Sequence, residues 1–458
     1  MRQLHPSDRH QPAQPGPAGI HLFSDGTEGF LLDVESGNIH RLPDFQAHGL
    51  EEAIRLGDFA RSELMAMVFG LRSAPLPPAV IPEKVRLKAL SLAVAQKCNL
   101  GCTYCYAEQG SFGGNAASMP EEIAKASVDR LFKGIEPGDV FTLAFMGGEP
   151  LANRATLHAA ARHAAREATV RRVKVGFTMT TNATLLRQED IDLFQEYRFT
   201  ITVSIDGLPA SQDRLRPFVS GRGSYDRVRE NVGRLLARPD RSFRVLARVT
   251  VTPDNLELPE IMAHLLEMGF DGVMFSPMLS APSGKEEMQS ADLDKLLDQL
   301  IQCGERFLQE LREGRILPFS NVIETLQRIH RRTRDHYPCG AGGGYMAVSA
   351  EGNLYACHRF VNDERGRMGN LSQGVDSKKQ AEWLEERHLQ NQLPCSTCWA
   401  RHLCSGSCHY EVINRGRPAC DYIRGWLDYC LKLYAYLMSH HSEALKKIVG
   451  TVGPDARF

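Results

Sequence analysis

From about residue 85 to 315 the chain alternates short apolar runs with amphipathic stretches, and this alternation restricts the architecture more than any other feature. The runs Leu90–Val94, Phe141–Phe145, Val173–Met179, Phe199–Ile205, Val245–Val251 and Gly272–Pro277 have strand length and favour β-branched and aromatic residues. Between them, segments such as Glu121–Phe132, Ala155–Glu167 and Leu258–Met268 repeat apolar residues with helical period. Such β-then-α units in succession predict a parallel α/β sheet, either open and doubly wound or curled into a barrel. Pattern alone leaves both. In either case the chemistry belongs at the C-terminal ends of the strands.

The first strand end carries Lys97-Cys98-Asn-Leu-Gly-Cys102-Thr-Tyr104-Cys105. The spacing C-x3-C-x2-C supplies three thiolates from one loop, whereas a zinc site or an ordinary [4Fe–4S] cluster takes four ligands. An iron without a protein ligand can bind something that reacts. The whole chain of 458 residues has twelve cysteines, most of them in tight spacings. The Pro- and Gln-rich start, residues 1–18, has no apolar core of a signal peptide and reads as a disordered tail. Metal ligation in a reducing cytoplasm is therefore expected instead of a disulfide framework. A formal net charge of -1 lacks the footprint of a nucleic-acid binder, and no apolar run approaches a membrane span. Neither nucleic acid nor membrane is an expected partner.

Other strand ends are polar. Gly147 and Gly148 in Phe145-Met-Gly-Gly-Glu-Pro150 allow the backbone to approach a ligand closely, and Glu149 offers an acceptor to a cation. Taken alone, the same residues make a strand-ending turn. Thr180-Thr-Asn182-Ala and Ser204-Ile-Asp206-Gly end the third and fourth strands, where they can meet hydroxyl groups or cap helices. Downstream, Cys339, Gly352 and Cys357 are followed by Cys395-x2-Cys398-x5-Cys404-x3-Cys408 and then Cys420. Zinc ribbons also use C-x2-C pairs, so these spacings alone leave zinc open. Cys303 and Cys430 fall in helical patterns and read as buried small hydrophobes. Residues 316–336 form a basic helical connector whose last charges are solvated. Residues 19–75 make a small module: strand runs at Ile20–Phe23, Gly29–Asp33 and Ile39–Leu42, helical periodicity over Leu50–Leu71, then a stiff Pro-rich linker at 74–79.

The cysteine triad, with an aromatic residue before its third member, resembles the signature of the radical S-adenosylmethionine (SAM) enzymes. The resemblance implies a partial (β/α)6 TIM-like barrel over 85–315. It also implies a cluster on Cys98, Cys102 and Cys105 whose open iron chelates SAM. By the same likeness Tyr104 lies beside adenine, and Gly147, Gly148 and Glu149 meet the amino group. Asn182, Ser204 and Asp206 then line the nucleoside, and Arg216 meets the carboxylate. Arg214 and Arg248 are weaker candidates for that last role. Many relatives have His-Asp where this chain has Gln212-Asp213. The later cysteines resemble the SPASM extension, placed at 337–450. That implies an outer auxiliary cluster on Cys395, Cys398, Cys404 and Cys420, and an inner one on Cys339, Cys357 and Cys408. The inner cluster has either one open iron or His336 as fourth ligand, because no extra cysteine precedes Cys339.

The 19–75 module resembles winged-helix-like peptide-recognition domains, which bind a leader peptide as an added edge strand; a structural cap fits the pattern too. The chain as a whole is similar to maturases that form thioether cross-links between cysteine sulfur and a carbon. Those joining Cys to Asp or Glu, in quinohemoprotein amine dehydrogenase maturation, and those acting on Cys-rich ribosomal peptides both fit. The likeness implies reductive cleavage of SAM to a 5′-deoxyadenosyl radical that abstracts hydrogen from the peptide, with auxiliary clusters positioning substrate or removing an electron. The implied cofactors are three [4Fe–4S] clusters and SAM. The implied partners are a substrate peptide or small protein with a leader segment and an external donor of flavodoxin or ferredoxin type. An anaerobic sulfatase maturase, making formylglycine, is the nearest alternative. A non-catalytic Fe–S electron-transfer protein is another, although it has no use for a nucleoside pocket.

Overall fold

The computed structural model describes residues 19–72 and 85–450; the tail at 1–18 and the linker at 74–79 lie outside them. Strands β1 (Ile20–Ser24), β2 (Gly29–Asp33) and β3 (Asn38–Leu42) form an antiparallel meander in that order. Helices Asp44–Arg55 and Phe59–Val68 follow. Ile20, Leu31 and Leu42 are buried with Leu50, Ala66 and Leu71, giving the module a core of its own. The helical periodicity read over Leu50–Leu71 resolves into two helices. Gly57 adopts φ +74°, and Asp58 caps the second helix by accepting from the Arg61 N–H at 3.0 Å.

The central sheet contains β4 (Ala89–Gln96), β5 (Ala117–Ser118), β6 (Val140–Gly147), β7 (Lys174–Thr181), β8 (Thr200–Ser204), β9 (Arg244–Val251) and β10 (Gly272–Pro277). Its order is β10-β9-β8-β7-β6-β4, every neighbouring pair parallel, with the short β5 antiparallel to β4. The intervening helices include Glu121–Leu131, Arg154–Arg171, Gln188–Tyr197, Tyr225–Leu236 and Leu258–Glu267. This is the parallel sheet of a partial barrel, and it follows the apolar runs read from the sequence. In β9, Val245, Ala247, Val249 and Val251 are fully buried while Arg244, Leu246, Arg248 and Thr250 are not. One face therefore packs and the other is left for chemistry.

The sheet does not stop at β4. Strand β11 (Tyr345–Val348) adds to it in parallel, and β12 (Asn353–Tyr355), β13 (Arg367–Asn370) and β14 (Gly374–Val375) continue antiparallel. Strands of two to four residues are too short to show a period in the sequence.

Among the described residues, compactness yields two units: 85–292 with 339–384, and 19–72 with 293–338 and 385–450. In the second, helix Ser290–Arg312 is followed by Ser320–His330, Cys420–His440 and Ser442–Gly450. Gly304 and Gly425 let these helices approach: a Cβ on either would meet Tyr429 or Leu297 at 2.5 Å. Cys303 and Cys430 are fully buried here, as small hydrophobes would be. The module belongs to this unit. The His21 ring stacks on Trp399 at 3.6 Å and its Nε2 pairs with Asp428 Oδ1 at 2.8 Å, while Arg401 donates to Glu35. No helix among the described residues is long and apolar enough to cross a membrane.

Candidate active site

The cysteine loop leaves β4 at Gln96 and is laced to residues 215–219 by backbone hydrogen bonds. Gly101 N–H donates to Pro217 O (2.8 Å), Thr103 N–H to Leu215 O (3.0 Å) and Val219 N–H to Asn99 O (3.1 Å). Two donors face the Cys98 sulfur: the Leu100 N–H at 3.4 Å and Asn182 Nδ2 at 3.7 Å. Burial pushes the Cys98 thiol up to about 11 and the Cys102 thiol up to about 12. The Cys98 and Cys102 thiolates are therefore costly without a bound cation. The donor set fits a cluster that takes three of its ligands here.

The two glycines after β6 are required by the chain itself. A Cβ on Gly147 would lie 2.2 Å from Ala95 O, and one on Gly148 would lie 2.4 Å from Lys97 O. Their absence lets Gly148 N–H donate to Ala95 O (2.8 Å) and Glu149 N–H to Lys97 O (3.0 Å). The close approach that the sequence suggests toward a ligand is thus made toward the cysteine loop. Glu149, fully buried, then receives three donors: Thr181 Oγ1 (2.7 Å), Asn182 N–H (2.7 Å) and Leu151 N–H (3.0 Å). Burial raises its pKa, and these donors oppose the rise. Asn182 also donates to Asn99 Oδ1 at 3.1 Å, joining the end of β7 to the cysteine loop.

On the other side of the loop, Tyr104 donates to Asp206 and accepts from Arg216 Nη1 at 2.7 Å. All three side chains are buried. Burial raises the pKa of Asp206, and the Arg216 charge opposes it. Arg216 Nε is buried with no hydrogen-bond partner among the described residues. That orphaned donor is what a bound carboxylate would satisfy. Gln212 is a residue whose role the sequence does not reveal. Its Oε1 accepts from the Asp206 N–H (2.8 Å) and its Nε2 donates to Ser224 Oγ (2.9 Å), fixing the turn that carries Asp206. Ser204 ends β8 half-buried, and Arg214 is a surface residue 3.5 Å from Asp254.

The later cysteines divide between the units. Cys395, Cys398, Cys404 and Cys420 lie together: the charges of Cys404, Cys420 and Cys398 all act on Cys395, whose thiol burial pushes up to about 11. Backbone N–H groups of Gly406 and Ser407 bond the Cys404 sulfur, and Arg417 and Arg424 lie near the Cys420 thiol. Cys408 is in the same unit, whereas Cys339 and Cys357 are in the barrel unit, the first exposed and the second buried. None of the twelve cysteines is in a disulfide. His336 stacks on His388 at 4.8 Å, and burial lowers its pKa. Among the described residues no three His, Cys, Asp or Glu side chains converge as ligands of a single ion.

Residues 92–239 match the family model of the Radical SAM superfamily. Over that stretch the chain is similar to the Radical SAM superfamily. It is 23% identical over 374 residues to the serine-type anaerobic sulfatase-maturating enzyme of Klebsiella pneumoniae, covering 80% of this chain and 93% of that one. Native anSMEcpe with bound AdoMet superposes with a TM-score of 0.65 at 18% identity, over 77% of this chain and 99% of that one. The same protein is also known with a bound Cp18Cys peptide. SuiB of Streptococcus suis bound to S-adenosylmethionine gives a TM-score of 0.50 at 14% identity, over 88% of this chain and 96% of that one.

Proposed function

We propose that this radical SAM enzyme modifies a ribosomal peptide or small protein by closing thioether bonds between a cysteine sulfur and a carbon of an acidic residue. The observation that carries the reading is the grouping of Cys395, Cys398, Cys404 and Cys420 around one another. They suffice for one auxiliary cluster. Cys339, Cys357 and Cys408 then remain, one thiolate short of a second, and an iron left open there suits a substrate thiol.

Cys98, Cys102 and Cys105 would hold the cluster that works with SAM. Together the two supply a carbon-centred radical able to take a hydrogen atom from an unactivated carbon. The chain's own residues hold and orient. Glu149, fixed by three donors, offers carboxylate oxygens to an ammonium, with Gly147 and Gly148 pressing that turn against the loop. Asn182, Ser204 and Asp206 stand at strand ends within the nucleoside's expected place. Arg216 offers Nε to a carboxylate, and Tyr104 holds Arg216 and Asp206 in register. Forming each thioether removes a hydrogen atom from carbon, a proton from the thiol and one further electron, which an auxiliary cluster would accept.

The 19–72 module supports a peptide partner. Strand β3 pairs with β2 on one edge, and among the described residues no strand pairs with its other edge. An extended leader could add there. A flavodoxin- or ferredoxin-type donor would supply electrons, and a reducing cytoplasm suits so many thiols.

Formylglycine formation is the second reading, favoured by the likeness to sulfatase-maturating enzymes over 93% of the relative's length. Mass spectrometry of a modified Cys-containing peptide separates the two. A thioether loses two hydrogens, keeps its sulfur and resists alkylation. A formylglycine loses the cysteine sulfur and reacts with hydrazides. A hydrazide-reactive product would replace the first reading with the second.

A further inference from the structure

The turn after β7 spends its polar groups on the cysteine loop. Asn182 Oδ1 accepts from the Thr184 N–H (2.9 Å) and from Thr184 Oγ1 (2.6 Å). A backbone N–H only donates, so the oxygen of this amide must face it and the NH2 group must face away. Nδ2 then donates to Asn99 Oδ1 (3.1 Å) and to Cys98 Sγ (3.7 Å). Asn99 Nδ2 in turn donates to Thr184 Oγ1 at 2.8 Å. Asn182, Asn99 and Thr184 thus form a closed ring in which each side chain donates to the next, and such chains of hydrogen bonds strengthen one another.

The surroundings hold this ring in place. Asn182 is 4% exposed and Thr184 7%. Asn231, from helix Tyr225–Leu236, donates Nδ2 to Ala183 O (2.8 Å) and Thr184 O (3.2 Å). Ala183 takes φ +59°, a left-handed conformation that a residue other than glycine adopts at a cost. Its N–H is bound by Thr181 Oγ1 at 3.0 Å. A strained turn kept by so many bonds places a group, and the group it places is the Asn182 amide. With both lone pairs and both N–H bonds engaged, that amide is directed at the Cys98 sulfur by the chain itself.

We propose that Asn182 is a positioning residue whose amide donates to the Cys98 sulfur and raises the reduction potential of the cluster that this sulfur would hold. The inference rests on the radical SAM reading of the cysteine loop. Hydrogen bonds to a ligating sulfur draw charge from it and so ease the arrival of an electron, here from the external donor. The Leu100 N–H, 3.4 Å from the same sulfur, comes from the loop's own backbone. Asn182 adds a second donor from another strand end.

The test uses the full chain with its clusters reconstituted, titrated anaerobically against redox mediators and read by EPR without SAM. The signal missing from a variant with Cys98, Cys102 and Cys105 all changed to Ala belongs to the loop. Measured without SAM, its midpoint is blind to any nucleoside contact. Asn182→Leu keeps the side-chain size and removes the donor. The loop's cluster should then be roughly tenfold harder to reduce, a downward shift of about 59 mV for one electron, while the other signals keep their midpoints. Thr184→Val, which unlatches the amide but leaves it present, should move the same signal downward by less, and Thr184→Ser should restore the parent value. An unchanged midpoint in Asn182→Leu overturns the proposal, and so does an equal shift of every cluster, which would mark a general disturbance. Should Asn182→Leu fail to take up iron, Thr184→Val decides, and an unchanged midpoint there overturns the proposal too. Absence of 5′-deoxyadenosine from the parent would instead refute the radical reading itself.

Discussion

The Tyr104 hydroxyl donates to the Asp206 carboxylate, tying the cysteine loop to the turn after β8 across 102 residues of chain. Arg216 completes the buried group by donating to the same hydroxyl. The residue that precedes the third cysteine thus joins the turn after β8 to Arg216 at the end of the helix Pro209–Leu215. Tyr104→Phe leaves the ring and removes the link. Buried polar groups stripped of a partner cost about 1–3 kcal/mol, so the variant should melt lower and form 5′-deoxyadenosine more slowly while retaining its iron. An unchanged melting temperature and rate would reduce the hydroxyl to a bystander.

Glu149 is held by donors from Thr181, Asn182 and Leu151. Glu149→Gln turns an NH2 group toward at least one of them, because a carboxamide accepts through one oxygen only. The expected outcome is at least tenfold weaker SAM binding by anaerobic equilibrium dialysis, with charge-assisted hydrogen bonds lost on both sides of the site. Glu149→Asp should also be impaired, since the shorter side chain cannot reach all three donors.

The outer cysteines should hold iron independently of the first loop. With three clusters the chain would bind about twelve irons, and Cys404→Ser should remove about four of them without abolishing SAM cleavage. Loss of all iron in that variant would show that the groups are not separate.

The 19–72 module is joined to its unit through His21, which stacks on Trp399 and pairs with Asp428. Deleting residues 1–75 should spare uncoupled SAM cleavage but impair peptide modification, read as 5′-deoxyadenosine formed per peptide altered. Asp428 keeps Lys432 at 2.7 Å after the deletion, so no charge is stranded there. Unchanged peptide turnover would make the module a cap.

Much of this architecture was legible in the sequence because its signals are local. The runs from Leu90 to Pro277 became six parallel strands, since apolar period and length sufficed to mark them. The strands from Tyr345 to Val375 escaped because each is too short to alternate. Long-range reasons were the least visible. Gly147 and Gly148 announce a close approach, but nothing in the sequence says that Ala95 and Lys97 are what they approach. Gln212 looked like a departure from a familiar pair, yet its amide holds the Asp206 backbone. Arg248 stood in the sequence only as a weaker candidate for the SAM carboxylate, and nothing there says that strand register pairs it with Ser204.

The most direct test of the account is 5′-deoxyadenosine formation from SAM under anaerobic reduction with dithionite. The reconstituted parent should produce it together with methionine, and the variant with Cys98, Cys102 and Cys105 all changed to Ala should produce none while keeping about eight of its twelve irons. No 5′-deoxyadenosine from the parent, or an equal yield from the triple variant, would contradict the assignment of the cysteine loop as the centre of this protein's chemistry.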